Sequence, residues 1–177
     1  DDTSGKFWST RFGCRECCDT SSELICGIYV DLNAIRAGEA SSVETAKFTS
    51  IYQRLQAQKQ SRTSKSRADG WLAELTLRPE RKDEEHLADK SRTGRRATDM
   101  GILPMSLQDY VYLLNWTNKM IKSGKRSTIP KDIESVLDHM QVNPETFLDT
   151  VDEYEKIFCY AIGPPESMEE VAKRLGV

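Results

Sequence analysis

The sequence predicts an α+β fold that is mostly α-helical. Apolar residues recur at helical spacing over residues 23–37 and again from residue 101 onward, whereas only the aromatic stretch at residues 6–12, flanked by glycines, is typical of one or two short strands. The chain has 177 residues, of which 38% are hydrophobic, so it is long enough to bury a core.

The composition does not indicate a membrane protein. No apolar run approaches the roughly 18 residues of a transmembrane span. The first residues, Asp1-Asp2-Thr3-Ser4, do not have the basic-then-apolar layout of a secretion signal. We therefore expect a cytoplasmic protein without a membrane partner.

The composition changes twice along the chain and predicts three segments. Residues 1–58 hold the strand-like stretch and two helix patterns, residues 59–100 form a charged connector with a short apolar island, and residues 101–177 form a helical domain. The net charge is −3, and the acidic excess lies in the last segment. Net acidity therefore does not exclude nucleic-acid binding by the nearly neutral first part.

Two helices are predicted before the connector. The first covers residues 23–37, starts with a capping box formed by Thr20 and Glu23, and ends at Gly38. The second covers residues 50–58 and has hydroxyl residues at its start that can cap it. The apolar face of the first helix consists of Leu24, Ile25, Ile28, Leu32 and Ile35.

Four helices are predicted after the connector. Ser106 caps the first, Pro130 is the first residue of the second, and Asn143-Pro144 starts the third, which continues to about residue 161. Ser167 caps the last helix. Their aromatic residues have helical spacing and apolar neighbours, so we expect core positions rather than base-stacking surfaces for Tyr110, Tyr112, Trp116 and Tyr154.

A polar stripe on the first helix is the strongest candidate for chemistry. Tyr29, Asn33 and Arg36 lie at positions i, i+4 and i+7 and therefore share one side of the helix, beside its apolar face. Such a stripe is also what the solvent side of an amphipathic helix contains. In the functional interpretation, a tyrosine hydroxyl attacks a phosphodiester, an amide oxygen ligates a hard cation and an arginine holds a phosphate.

These residues belong to segments that resemble a known family. Residues 7–12 (Phe-Trp-Ser-Thr-Arg-Phe), 28–38 (Ile-Tyr-Val-Asp-Leu-Asn-Ala-Ile-Arg-Ala-Gly) and 48–51 (Phe-Thr-Ser-Ile) resemble the second half of single-tyrosine transposases of the HUH type, in the branch of the REP-associated tyrosine transposases. Several short segments after residue 103 are similar to the C-terminal extension of a bacterial branch of that family. Ala34 stands where the family usually has proline.

The resemblance implies a fold and an activity. The first segment would be the C-terminal part of a ferredoxin-like catalytic domain, and the activity would be cleavage and rejoining of single-stranded DNA hairpins in DNA transposition. Tyr29 would be the nucleophile that forms a phosphotyrosine link, and Asn33 would help to hold a divalent metal ion, Mg²⁺ or Mn²⁺. Arg36 would contact DNA or make a structural contact.

One departure from the family limits this expectation. The family holds its metal mainly with a His-x-His pair upstream of the tyrosine, whereas the only histidines here are His86 and His139, which we expect on the surface. We therefore predict a truncated transposase that is inactive alone, or a non-enzymatic helical remnant that binds DNA or protein. We expect its uncovered apolar face either to form a homodimer or to pack on the C-terminal helices. The protein partner we expect is a second copy of the chain or a missing N-terminal part.

Two other residue groups have alternative interpretations. Lys59, Arg62, Lys65 and Arg67 either follow a phosphate backbone or belong to a solvated linker. Cys159 is expected in the core. The remaining cysteines either hold a zinc ion or are ordinary reduced thiols, and they are Cys14, Cys17, Cys18 and Cys26.

Overall fold

The structure is a computed structural model that describes residues 15–60, 72–76, 101–124 and 128–176. The strand predicted at residues 6–12 lies outside these ranges, and so do several residues considered above, namely Cys14, Arg62, Lys65, Arg67 and His86.

The described part of the chain is mostly helical, with one short pair of strands, as the α+β prediction requires. In chain order the elements are β1 (Glu16–Cys17), α1 (Thr20–Arg36), α2 (Ser50–Lys59), α3 (Leu107–Ser123), α4 (Lys131–His139), α5 (Pro144–Asp152), α6 (Tyr154–Ile157), β2 (Ala161–Ile162) and α7 (Pro165–Leu175). The strands β1 and β2 pair in parallel, with Glu16 opposite Ala161. None of the described helices combines the length and the apolarity needed to cross a membrane.

Helix starts follow the predicted chemistry at two C-terminal helices. The side chain of Ser106 accepts a hydrogen bond from the Asp109 backbone N–H at 3.1 Å and caps α3. The side chain of Asn143 accepts from the Glu145 backbone N–H at 2.9 Å and caps α5. Both bonds satisfy backbone donors that lack partners within the helix.

The predicted caps of three other helices were wrong. Asp19, not Thr20, caps α1, because its carboxylate precedes the helix and accepts from the Ser22 backbone N–H at 2.7 Å. Pro130 lies just before α4 instead of being its first residue. Helix α7 starts at Pro165 without a side-chain cap, which places Ser167 inside its first turn.

The third C-terminal helix is shorter than predicted. Helix α5 ends at Asp152, a single turn forms α6, and the chain then becomes extended at β2. The extension is explained by pairing with β1, since the Glu16 backbone N–H donates to the Tyr160 carbonyl at 3.0 Å and the Cys18 N–H donates to the Ile162 carbonyl at 2.9 Å.

Helix α1 and the C-terminal helices share one hydrophobic core. Ile28 and Leu32 on the apolar face of α1 are 0% and 1% exposed, and α1 packs against α5, α3 and β1. Of the outcomes predicted for this face, packing on the C-terminal helices is therefore observed. Burial at this level stabilises the fold by roughly 1.5–3 kcal/mol for each large aliphatic side chain.

Most of the predicted aromatic core is confirmed. Tyr110, Trp116 and Tyr154 are buried. The prediction was wrong for Tyr112, which is 46% exposed because it is two residues, or about 200° around the helix, from the buried Tyr110. It was also wrong for Cys159, which is exposed beside the buried Phe158 in the extended segment before β2.

Candidate functional site around Tyr29

Tyr29 lies in the middle of α1 and is covered by α6. Its ring stacks on the ring of Tyr154, with 4.0 Å between the centroids and 14° between the planes. The Tyr29 hydroxyl donates a hydrogen bond of 2.6 Å to the Oε1 atom of Glu155. The side chain is therefore half-buried, and its reactive oxygen is already paired with a carboxylate.

Arg36 lies two turns further along α1 and holds the C-terminal end of α5. Its Nη1 donates to the Val151 carbonyl at 3.0 Å and its Nη2 donates to the Asp152 carbonyl at 2.8 Å. These carbonyls belong to the last turn of α5, where backbone acceptors lack partners within the helix. The guanidinium also lies 3.4 Å from the Asp152 carboxylate and 5.2 Å from the Tyr29 ring centroid.

The surroundings keep the Tyr29 hydroxyl protonated. Burial raises the pKa of Tyr29 to about 12, and the hydrogen bond to Glu155 and its negative charge act in the same direction. The positive charges of Arg36 and Arg15 oppose this increase. A nucleophilic tyrosine needs a base or a cation to offset such a pKa, and Glu155 is the base within reach.

Asn33 lies on the same side of α1 as Tyr29 and is exposed. The described residues contain no group of three or more His, Cys, Asp or Glu side chains that could hold a metal ion. Two carboxylates that contact the stripe already have partners there, since Glu155 accepts from Tyr29 and Asp152 pairs with Arg36. The described residues therefore do not fit a bound divalent ion, and the metal stays a prediction of the resemblance.

The structure brings Tyr29 and Arg36 together, and of the predicted basic group it describes Lys59 alone. Lys59 is exposed in the last turn of α2, and the other three basic residues lie outside the described ranges. His139 is on the surface, as predicted, with its Nε2 3.2 Å from the Pro104 carbonyl.

Burial raises the pKa of the Cys17 thiol to about 12, and the neighbouring Cys26 adds to the increase. The zinc alternative also includes Cys14, which lies outside the described residues, so the choice between zinc and ordinary thiols stays a prediction. Cys18 and Cys26 are also half-buried free thiols.

Sequence reasoning missed the C-terminal half of the site. Tyr154 and Glu155 complete the surroundings of Tyr29, and the guanidinium of Arg15 lies 5.5 Å from the Tyr154 ring centroid. Glu155 is separated from Tyr29 by 126 positions and belongs to an acidic segment, so no local pattern distinguishes it from its neighbours.

Asp31 is a second residue whose role appears only in three dimensions. Its buried carboxylate accepts hydrogen bonds from the Tyr110 hydroxyl at 2.9 Å, from the Ile51 backbone N–H at 3.2 Å and from the Ser50 hydroxyl at 3.1 Å. These bonds join α1 to α3 and to the first turn of α2. Asp31 therefore fixes the orientation of the helix that carries Tyr29.

Comparisons of the chain with protein-family models, with curated proteins and with solved structures found no match.

Proposed function

We propose that this chain is the tyrosine-bearing part of a transposase-like protein that cleaves and rejoins single-stranded DNA. The observation that carries the proposal is the pairing of the Tyr29 hydroxyl with the Glu155 carboxylate at 2.6 Å, on a helix stripe that also presents Asn33 and Arg36. The resemblance of residues 28–38 to single-tyrosine transposases supports it. In this proposal residues 1–58, which include β1, α1 and most of α2, are the C-terminal part of a ferredoxin-like catalytic domain.

The proposed reaction begins with attack of the Tyr29 oxygen on a DNA phosphodiester. The bond from Tyr29 Oη to phosphorus forms, and the bond from phosphorus to the 3′ oxygen breaks. The Tyr29 proton passes to the Glu155 carboxylate, which already accepts it in a hydrogen bond, and the 3′ oxygen takes a proton from solvent. The products are a 5′-phosphotyrosine and a free 3′-hydroxyl, and the reverse reaction rejoins DNA.

The test is trapping of a covalent adduct. The chain, alone and mixed with a separately expressed domain that carries a His-x-His pair, is incubated with Mn²⁺ and a single-stranded DNA hairpin labelled at its 3′ end. We expect a protein–DNA band on a denaturing gel in the mixture, because the adduct retains the 3′ fragment. Tyr29→Phe should abolish the band, whereas the control Tyr112→Phe, at an exposed tyrosine of α3, should retain it. Absence of any Tyr29-dependent adduct would overturn the proposal.

A non-enzymatic binding module is the second candidate. Two observations favour it. The raised pKa of Tyr29 makes its hydroxyl a weak nucleophile, and the hydrogen bonds of Arg36 to the end of α5 hold the two helices together without any DNA. Binding of the chain to single-stranded DNA that weakens with salt, without adduct formation in any mixture, would support this candidate. A negligible response over the salt series would exclude DNA as its ligand.

A further inference from the structure

A cavity of about 340 Å³ lies between α1 and α3. Helix α1 contributes Leu32, Ile35 and Arg36, and α3 contributes Asn118, Ile121 and Lys122. The volume is at the lower end of the roughly 300–1,000 Å³ that is typical of small-molecule pockets.

The lining combines three kinds of surface. Leu32 and Ile35 are 1% and 4% exposed and, with Ile121, give the cavity an apolar floor. Asn118 adds an amide that both donates and accepts hydrogen bonds. Arg36 and Lys122 add two positive charges at the edge.

This combination specifies the chemistry of a ligand. A free phosphate would meet the two cations but would leave the apolar floor uncovered. An apolar molecule would cover the floor but would bring no anion to the cations, whose present partners are the Asp152 carboxylate for Arg36 and the Ser41 carbonyl for Lys122. A nucleotide satisfies both, because its base is a flat ring with a polar edge and its phosphate is an anion.

The position of Arg36 connects the cavity with Tyr29. The same guanidinium lines the cavity and lies 5.2 Å from the Tyr29 ring centroid. Two backbone carbonyls hold it in place, whereas its pair with the Asp152 carboxylate is partly exposed and therefore weak enough for a phosphate to compete.

We propose that the α1–α3 cavity binds one nucleotide of single-stranded DNA beside Tyr29. The base rests on the half-buried Ile121, above Leu32 and Ile35, with its edge at Asn118, and the phosphate lies between Arg36 and Lys122. This inference rests on the proposed function and deepens it, since it assigns the subsite that positions the strand next to the nucleophile.

The first test compares two lysines of the same helix. Lys122 lines the cavity, whereas Lys119 is exposed and is not among the lining residues. In fluorescence anisotropy with a labelled single-stranded hairpin, Lys122→Gln should weaken binding by about three- to tenfold and reduce the salt slope by about one. The control Lys119→Gln should stay within about twofold. Equal effects of the two changes would overturn the proposal, because they would indicate a diffuse electrostatic attraction.

The second test examines the base directly. Asn118→Phe fills the cavity without a change of charge, so it should weaken hairpin binding by at least about tenfold while the salt slope stays constant. Thermal unfolding of each variant verifies that it is folded. With methyl-labelled isoleucine, a mononucleotide should shift the NMR signals of Ile35 and Ile121 but not that of the control Ile133, which is buried elsewhere. Unchanged signals at Ile35 and Ile121 would overturn the proposal.

The outcomes separate this inference from the proposed function. Nucleotide binding in the cavity without a Tyr29 adduct would leave the subsite intact and reject the chemistry. A Tyr29 adduct that forms equally well in the wild type and in Asn118→Phe would leave the chemistry intact and reject the subsite.

Discussion

At the scale of single residues, the state of the Tyr29 hydroxyl depends on residues far away in the sequence. The local pattern places Tyr29 on one helix stripe with Asn33 and Arg36, and the structure confirms that they lie on one helix. Burial raises the pKa of Tyr29 most, and Glu155, the carboxylate that adds to the increase, comes from another helix 126 positions later. Helical spacing predicts which neighbours share a face, but it contains no information on such long-range contacts.

Replacing Glu155 by glutamine should lower the pKa of Tyr29 towards its ordinary value of about 10. The reason is that the change removes a negative charge and a charged hydrogen-bond acceptor, both of which raise this pKa. The measurement is a titration of phenolate absorbance, in which Tyr29→Phe identifies the signal of Tyr29. A pKa that stays at about 12 in Glu155→Gln would show that burial alone sets it.

The same titration has a consequence for stability. The pKa of Tyr29 is raised in the folded chain. The contribution of Tyr29 to the free energy of unfolding is therefore complete below the unfolded pKa of about 10 and is lost as the pH rises through about 12. Tyr29→Phe should therefore be less sensitive to alkaline pH than the wild type in urea unfolding.

Asp31 is expected to be energetically coupled to Tyr110. Asp31→Ala removes the acceptor for the donors of Ser50, Ile51 and Tyr110, and should reduce the free energy of unfolding by about 2–4 kcal/mol. Tyr110→Phe should cost about 1 kcal/mol. In a double-mutant cycle measured by urea unfolding, the combined change should cost less than the sum of the two. Simple additivity would contradict a direct bond between them.

At the scale of elements, Arg36 joins the end of α1 to the end of α5. Arg36→Met keeps the aliphatic stem but loses the two charged donors, so it should reduce the free energy of unfolding by about 1–3 kcal/mol. Amide hydrogen exchange in the last turn of α5 should also accelerate. Arg36→Lys keeps the charge without the two-pronged geometry and should restore only part of the loss. Full recovery in the lysine variant would show that charge alone matters.

At the scale of the whole molecule, the sequence predicts the helices better than their assembly. Capping residues such as Ser106 and Asn143 act within a few positions, and both were identified correctly. The extended segment at β2 was missed because it is held by pairing with β1, a contact between opposite ends of the described chain. The candidate site shows the same difference. Its residues on α1, such as Tyr29, were predicted from helical spacing, whereas Tyr154 and Glu155 on α6 were not.

Gly163 allows the two ends of the described chain to approach closely. A Cβ atom at this position would lie 2.7 Å from the Cβ of Cys18. Gly163→Ala should therefore reduce the free energy of unfolding by about 1–3 kcal/mol, measured with urea. The double variant Cys18→Gly/Gly163→Ala removes the colliding atom and should recover part of this loss relative to Cys18→Gly alone. Purely additive effects would assign the loss to another contact.

The β1–β2 pair also has a consequence for the order of folding. Glu16 and Ala161 are separated by about 145 positions, and closing a flexible loop of that length costs about 4 kcal/mol of chain entropy on a logarithmic scale. Helices that form earlier shorten this loop, so we expect the pair to form last. In pulsed hydrogen exchange during refolding, the amides of Glu16 and Cys18 should gain protection after those of α1 and α3. The short strand pair would then act as the final closure of the chain.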